Sequence, residues 1–342
     1  MNLYLIQIEG NIETTYDITE IVASYTWQGS TEQASRQLDV DVLNAPLDPN
    51  LQDVPRISAG NFVKLAQSQD AVPLFFGMFY NSDRASQVGT ITYTAYDMLY
   101  HALKSSWSRS FKNMTAEAIT IACCQEVGIT PGNIIATGIN IKKMLIDNES
   151  VFDTMLKAYN KVSLINGKKY MFKMSGIALD VLEKGYVSSG ILLTDDSNLT
   201  DVNIKEDAND IVNRVKIYDQ NGNQIGVVND EDSIKRFGVF QQTYSQEEGV
   251  APEAAAKENF KSPSQEFSCE AIGDTGCIAG YGIYIKDTST GLVGHYWITQ
   301  DSHHFEGGVH TMSLTLSFKN LMTESELTYS EEDEYWATHT KT

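Results

Sequence analysis

No run in this chain approaches the roughly 20 consecutive apolar residues that a membrane-spanning helix requires, so no membrane insertion is expected. Cations are short: 25 Lys and Arg stand against 45 Asp and Glu, a net charge of −20. A field of that sign repels phosphate backbones and anionic bilayers, which disfavours a grip on nucleic acid but leaves room for a surface past which DNA slides. Cysteine is sparse at four residues. Cys123 and Cys124 are adjacent in a helical pattern and poorly placed to bridge each other, while Cys269 and Cys277 sit in a β-rich stretch. All four are expected to be reduced, partly buried thiols of a protein made in the cytosol.

Also missing are the signatures of familiar chemistry. There is no G-x-S-x-G elbow, phosphate-binding G-x-x-x-x-G-K-[ST] loop or H-E-x-x-H helix, and Gly185 to Gly190 spaces Ser188 wrongly for an elbow. No catalytic residue and no cofactor is assigned. The opening MNLYLIQIEGNIETT has no Lys or Arg ahead of its apolar residues and has Glu9 and Glu13 close behind. It reads as a first strand and not as a signal peptide.

What is present is an ordered composition, 42% hydrophobic and 10% aromatic, over 342 residues, enough for two or three cores. The most informative stretch is Ile21 to Leu43. Val22, Tyr25 and Trp27 suit a strand, and Gln28-Gly29-Ser30 supplies turn chemistry. After the polar connector Thr31 to Arg36, Leu38, Val40 and Val42 alternate with Gln37, Asp39 and Asp41. That period predicts a half-buried strand with its acids outward.

Further strands are expected at Phe62–Leu65, Leu74–Tyr80 and Thr90–Tyr96. Near Asp97 the pattern changes. Thr115 can cap a helix that Gly128 ends, and a second helix starts near Ser150, with Phe152, Met155, Leu156, Tyr159 and Val162 at helical spacing. Pro131-Gly132-Asn133 and Lys142-Lys143 read as an irregular connection. From Lys168 strands resume, with Ile211–Tyr218 expected at the centre of a second barrel. Short helices at Asp230–Phe237 and Pro252–Phe260 interrupt it, and strands up to Phe318 close it. The expected domains are a first tube-like β-barrel over 1–100, a small α/β insert over 101–167, a second tube-like barrel with helical insertions over 168–322, and an acidic tail over 323–342. That tail should be dispensable for folding. The fold class is α+β, mainly β, with two antiparallel barrels flanking the insert.

Two stretches invite a metal. Asp219-Gln-Asn221-Gly-Asn223 opens like a calcium loop, but Gln224 stands where the turn Gly belongs, so a hairpin turn explains it better. Asp301, His303, His304 and His310 gather around the Glu306-Gly307-Gly308 turn. The spacing is ragged, and His303, His304 and His310 are weak metal candidates only.

The Trp27-x-Gly29 segment with Ala34, Arg36 and Leu38-x-Val40-x-Val42, the L-F-x-G and T-A-Y-D strands, N-R-V-K-I-Y, and the terminal D-x-H-x-F hairpin together resemble baseplate hub proteins of contractile phage tails. These are the late control protein D and prophage tail hub family, similar to the hub part of type VI secretion spikes. The resemblance spans about 1–320. It implies a structural, non-enzymatic hub in the baseplate of a virion or tail-like particle (phage, prophage or R-type bacteriocin), made in the bacterial cytoplasm. It implies a homotrimer forming a pseudo-sixfold ring that joins the hexameric tail tube protein to a trimeric central spike protein, near baseplate wedge or LysM-bearing tail proteins. DNA would at most pass through the channel, and Asp39 and Asp41 are candidates for lining it. The alternatives are a cell-wall hydrolase or peptidase of the tail tip built on the His-rich hairpin, and a carbohydrate binder using Trp27, Trp107, Trp297 or Trp336.

Overall fold

The structure, a computed structural model, describes residues 1–45, 48, 54–69, 71–84, 89–185, 188–246 and 251–318. Two compact units result, one from residues 1–202 together with the chain from 268 on, the other from residues 203–267.

The first unit is mainly β, as its alternating pattern predicts. Nine strands of its large sheet run in the spatial order Val309–Ser317, Val293–Glu306, Val22–Ser30, Gln37–Leu43, Thr90–Asp97, Phe75–Arg84, Phe62–Ala66, Asn2–Glu9, Ile12–Asp17. Every pairing along this path is antiparallel. The seam between Val22–Ser30 and Val293–Glu306 matters most, because it welds the first β region to the last into one sheet. Among the described residues the strand pairings form no closed barrel. Leu38, Val40 and Val42 point into a core with Leu3, Leu5, Trp27, Val63, Leu65 and Phe79. Burying one such side chain contributes about 1.5–3 kcal/mol.

Gln28, Gly29 and Ser30 continue their strand and do not turn; the reversal falls at the following connector. The physical reason lies at Gly29. A Cβ there would stand 2.5 Å from the Arg36 guanidinium nitrogen, so the glycine admits that side chain across the strand.

The insert is more regular than its sequence suggests. Its helices Ala116–Val127 and Val151–Asn166 are capped by the Thr115 and Ser150 hydroxyls and end at Gly128 and Gly167, both with φ of +72°. A short helix at Leu99–Lys104, not among the expected elements, starts beside Asp97, whose carboxylate accepts the Leu99 N–H, and carries His101 and Lys104 in its last turn. Lys142-Lys143 lies in a strand, Asn140–Ser150, paired with Ser106–Thr115. Pro131-Gly132-Asn133 lies in another, Thr130–Ile134, which joins Ala178–Lys184 and Lys169–Ser175 in a three-stranded sheet. These last two strands, expected to open the second barrel, instead cover the insert's helices: Tyr170, Met174, Leu179 and Val181 share a core with Ile119, Met155 and Tyr159.

The second unit, taken alone, is a three-stranded sheet with Arg214–Tyr218 at its centre, antiparallel to Gln224–Asn229 and parallel to Gln241–Ser245. The strand, expected at the centre of a second barrel, is here the middle strand of a separate small sheet and lies outside the large one. Val212, Val215, Ile217, Val228 and Ala256 form its core, the last from helix Pro252–Glu258. The Asp219 carboxylate accepts hydrogen bonds from the Asn221 and Asn223 backbone N–H groups, so the calcium-like stretch is a hairpin turn. The acidic tail and Trp336 lie outside the described residues.

Candidate functional site

Strand register spreads one polar face across the large sheet. Side chains of a strand alternate between faces, so residues directly opposed on neighbouring strands form continuous lanes. One lane runs Asn81, Thr94, Asp39, Thr26, His304, Thr311. The next runs Asp83, Thr92, Asp41, Ser24, Glu306, Val309. Neither lane contains Lys or Arg. At one end the face dips into a depression of about 290 Å³ lined by residues including Gln28, Ser30, Gln37, Gln300, Ser302 and Ser313.

Asp39 and Asp41 thus sit on the face opposite the core, as their alternation with Leu38 and Val40 predicts. Neutral donors hold them. Thr94 Oγ1 and Gln37 Nε2 each donate to Asp39 at 2.7 Å, and Gln28 Nε2 donates at 3.2 Å. Thr92 Oγ1 donates to Asp41 at 2.5 Å and Ser24 Oγ at 2.8 Å. Hydrogen bonds to a charged acceptor stabilise by about 1.5–3 kcal/mol each and leave its charge in place. The result is a fixed, ordered row of negative charge on a half-buried wall.

Beneath this face the residues of four distant segments converge. Arg36 forms a two-pronged ion pair with Asp301, Nη1 to Oδ1 at 2.9 Å and Nη2 to Oδ2 closer still. The Asp301 side chain is fully buried and also accepts the Ala279 N–H at 2.6 Å. The Arg36 guanidinium lies 3.9 Å from the centre of the Trp27 ring. The Arg36 N–H donates to Asp97 Oδ2, while the Ser35 hydroxyl and the Leu99 N–H that opens the insert's first helix both donate to Oδ1. Burial pushes the Asp97 carboxyl up to about 6, against the lowering effect of those hydrogen bonds.

The histidines divide between the two faces. His303 lies inward, 0% exposed, with its Nε2–H donating to the Cys277 carbonyl at 3.0 Å. Its Nδ1 therefore accepts from His310 Nε2 at 3.1 Å, which fixes both tautomers. Burial lowers the His303 pKa; burial, then the nearby His303, lowers that of His310 to about 4. His304 faces the other way, its Nδ1 3.0 Å from Thr26 Oγ1 on the polar face. Strand alternation thus separates His304 from the other two, and the described residues contain no cluster of three or more metal-binding side chains. A fully buried His303 engaged with a backbone carbonyl has no route to a substrate. The neighbouring Cys277 thiol is pushed up to about 12 by burial and stays protonated. All four cysteines are free and buried. Of the tryptophans, Trp27 is 2% exposed and packed in the junction, while Trp107 donates its indole N–H to Thr154 at 2.8 Å.

Sequence reasoning did not single out Asp97 or the connection of Arg36 to Asp301. The motif residues were visible, and only their meeting in space was not.

A family model described as YQBQ-like matches residues 25–317. The phage-like element PBSX protein XkdQ of Bacillus subtilis is 26% identical over 318 residues, covering 89% of this chain and 95% of the relative. Among solved structures, the 43 kDa tail protein of prophage MuSo2 from Shewanella oneidensis superimposes with a TM-score of 0.64 at 14% identity, over 93% of this chain and 98% of that one. A component of the E. coli type VI secretion system, described as similar in structure to bacteriophage T4 tail proteins, gives a TM-score of 0.52 at 10% identity, over 89% of this chain and 74% of its own. The shared fold with prophage tail and type VI secretion proteins bears out the resemblance read from the motifs.

Proposed function

The chain belongs to the YQBQ-like family, and from that premise we propose that it is a structural hub of a contractile tail baseplate. The observation that carries the reading is a polar face whose two acid-bearing lanes contain no Lys or Arg, with Asp39 and Asp41 held rigid on it, in a chain whose fold matches a prophage tail protein along nearly its whole length. In this reading three copies close a ring of pseudo-sixfold symmetry, each contributing its first and its last β region. The hexameric tail tube docks above and a trimeric spike below, with wedge or LysM-bearing tail proteins alongside. A closed ring must present the same patches around its axis, so a two-domain chain in three copies is one way to meet a sixfold partner. The acid-bearing face lines the central channel, where ordered carboxylates repel phosphate and let DNA pass without sticking. The protein resides in the baseplate of the virion or tail-like particle and performs no catalysis of its own.

The test is a three-dimensional reconstruction of the assembled particle by electron cryomicroscopy. The expected result is three copies between tube and spike, with Asp39 and Asp41 facing the lumen. Six copies or one, or those side chains on the outer rim, would reject the corresponding part of the reading.

A further inference from the structure

The ribbon formed by strands Ser106–Thr115 and Asn140–Ser150 carries a feature that the hub reading does not use. One of its faces is buried through Phe111, Met144 and Ile146. On the other, Lys112 stands directly across from Lys143, and Ser110 directly across from Leu145. All four are exposed, Leu145 by 67%. Like charges directly opposed on paired strands repel each other. Some cations nearby on the insert are paired, Lys157 with Glu149 and Arg109 with Glu126. Among the described residues, Lys112 and Lys143 have no carboxylate partner. The feature is the direct opposition of two like charges beside an exposed leucine, on a chain whose net charge of −20 has the opposite sign.

We propose that this face docks the chain's own acidic C-terminal segment, whose carboxylates neutralise the Lys112–Lys143 pair while a flanking aromatic covers Leu145. The chemistry fits on both counts. Glu324, Glu326, Glu331, Glu332, Asp333 and Glu334 supply the charge, and Tyr329, Tyr335 and Trp336 supply apolar surface within the same stretch. A nucleic acid fits less well: Leu145 offers nothing to a phosphate, and the exposed Asp147 nearby, whose carboxylate accepts from the Ser108 hydroxyl, repels it. From Phe318, the fourteen or so residues to Glu332 extend up to about 45–50 Å, a length that allows contact within one chain or with a neighbouring copy. Contacts between exposed charges of this kind are worth little to folding, so the segment remains dispensable for stability, in keeping with its lack of apolar periodicity.

The test is zero-length carbodiimide cross-linking of the purified full chain, followed by peptide mapping, at low and high salt. The expected product joins the Lys112 or Lys143 amine to a carboxyl between Glu324 and Glu334, at a yield that falls several-fold in high salt. Mixing isotope-labelled and unlabelled chains shows whether the link lies within one chain or between two. K112Q, which removes one of the two opposed charges and keeps the Lys143 amine, should lower the yield at Lys143 several-fold, K143Q should do the same at Lys112, and neither should change the thermal midpoint. Cross-links from these lysines to other acidic segments, an undiminished yield at the remaining lysine in K112Q and K143Q, or no product at all would overturn the proposal. It is independent of the hub reading, because the assay uses the isolated chain.

Discussion

Arg36 and Asp301 are separated by 265 positions in the chain and meet as a buried, two-pronged ion pair. The pair lies at the seam where the first β region joins the last, so the closing hairpin of the chain is pinned to its opening strands. Removing one partner leaves the other charge buried and uncompensated, a cost of about 3–5 kcal/mol. D301N and R36M should each lower the denaturant midpoint accordingly. The double substitution R36L/D301L should recover part of the loss but not all of it, because the Ala279 N–H then has no acceptor. Full recovery would mean that Asp301 serves Arg36 alone.

Gly29 belongs to the same arrangement. A Cβ at this position would press on the Arg36 guanidinium, which the ion pair and the Trp27 ring hold in place. G29A should therefore destabilise by about 1–3 kcal/mol in the native background. In an R36A background the same substitution should cost much less, and the coupling read from this double-mutant cycle is the measurement. Equal costs in both backgrounds would place the strain elsewhere.

The junction also sets the response to acid. His310 titrates near 6.5 when unfolded and at about 4 when folded, so between these values the unfolded chain binds a proton that the folded chain does not. Its contribution to stability is lost as pH falls through that window, and buried His303 acts in the same direction. Asp97 has the opposite sign. Its folded pKa of about 6 exceeds the unfolded 3.8, so its contribution is present at low pH and is lost as pH rises towards 6. The two effects oppose each other across nearly the same range. Relative to the native chain, D97N should make stability fall more steeply on acidification from pH 6.5 to 4.5, and H310Q less steeply. Urea midpoints at the two pH values check this, and parallel profiles for all three proteins would refute it.

Much of this was legible in the sequence, and the rest was hidden for identifiable reasons. The alternation of Leu38, Val40 and Val42 with Asp39 and Asp41 gave the strand and both of its faces, because period two is a local property. Thr115, Gly128 and Ser150 marked their helix ends by the same local logic, and Gly167 ends the second helix in the same way as Gly128. The fate of Lys169–Ser175 and Ala178–Lys184 was not local. A strand's pattern says that it is half-buried, not which sheet takes it, and these two cover the insert's helices. Lys142-Lys143 resembled a loop because charge usually marks one, whereas an exposed ribbon face tolerates it. The histidines show the same limit. Their spacing suggested one cluster, and strand alternation placed His304 on the far face from His303 and His310.

The acid-bearing face offers the sharpest functional prediction. Three chains at −20 each carry −60 together, and the lanes through Asp39 and Asp41 concentrate part of that charge on one wall without a single Lys or Arg. Both side chains face away from the core, so D39K/D41K should fold, with a loss limited to the hydroxyl and amide hydrogen bonds that now hold the carboxylates. If the wall faces a DNA-conducting channel, the six new cations of a trimer would bind phosphates by counterion release. Ejection from a DNA-carrying particle should then become slow and incomplete, and added salt should restore it. D39N/D41N, which removes charge without reversing it, should have a milder effect. Accessibility supplies an independent check. A single D39C substitution adds a thiol to a chain whose four native cysteines are buried, so a bulky maleimide reports on that position alone. In the assembled particle this thiol should be shielded, while in the isolated chain it should react. Rapid labelling in the intact particle, together with normal ejection by D39K/D41K, would place the face outside the channel.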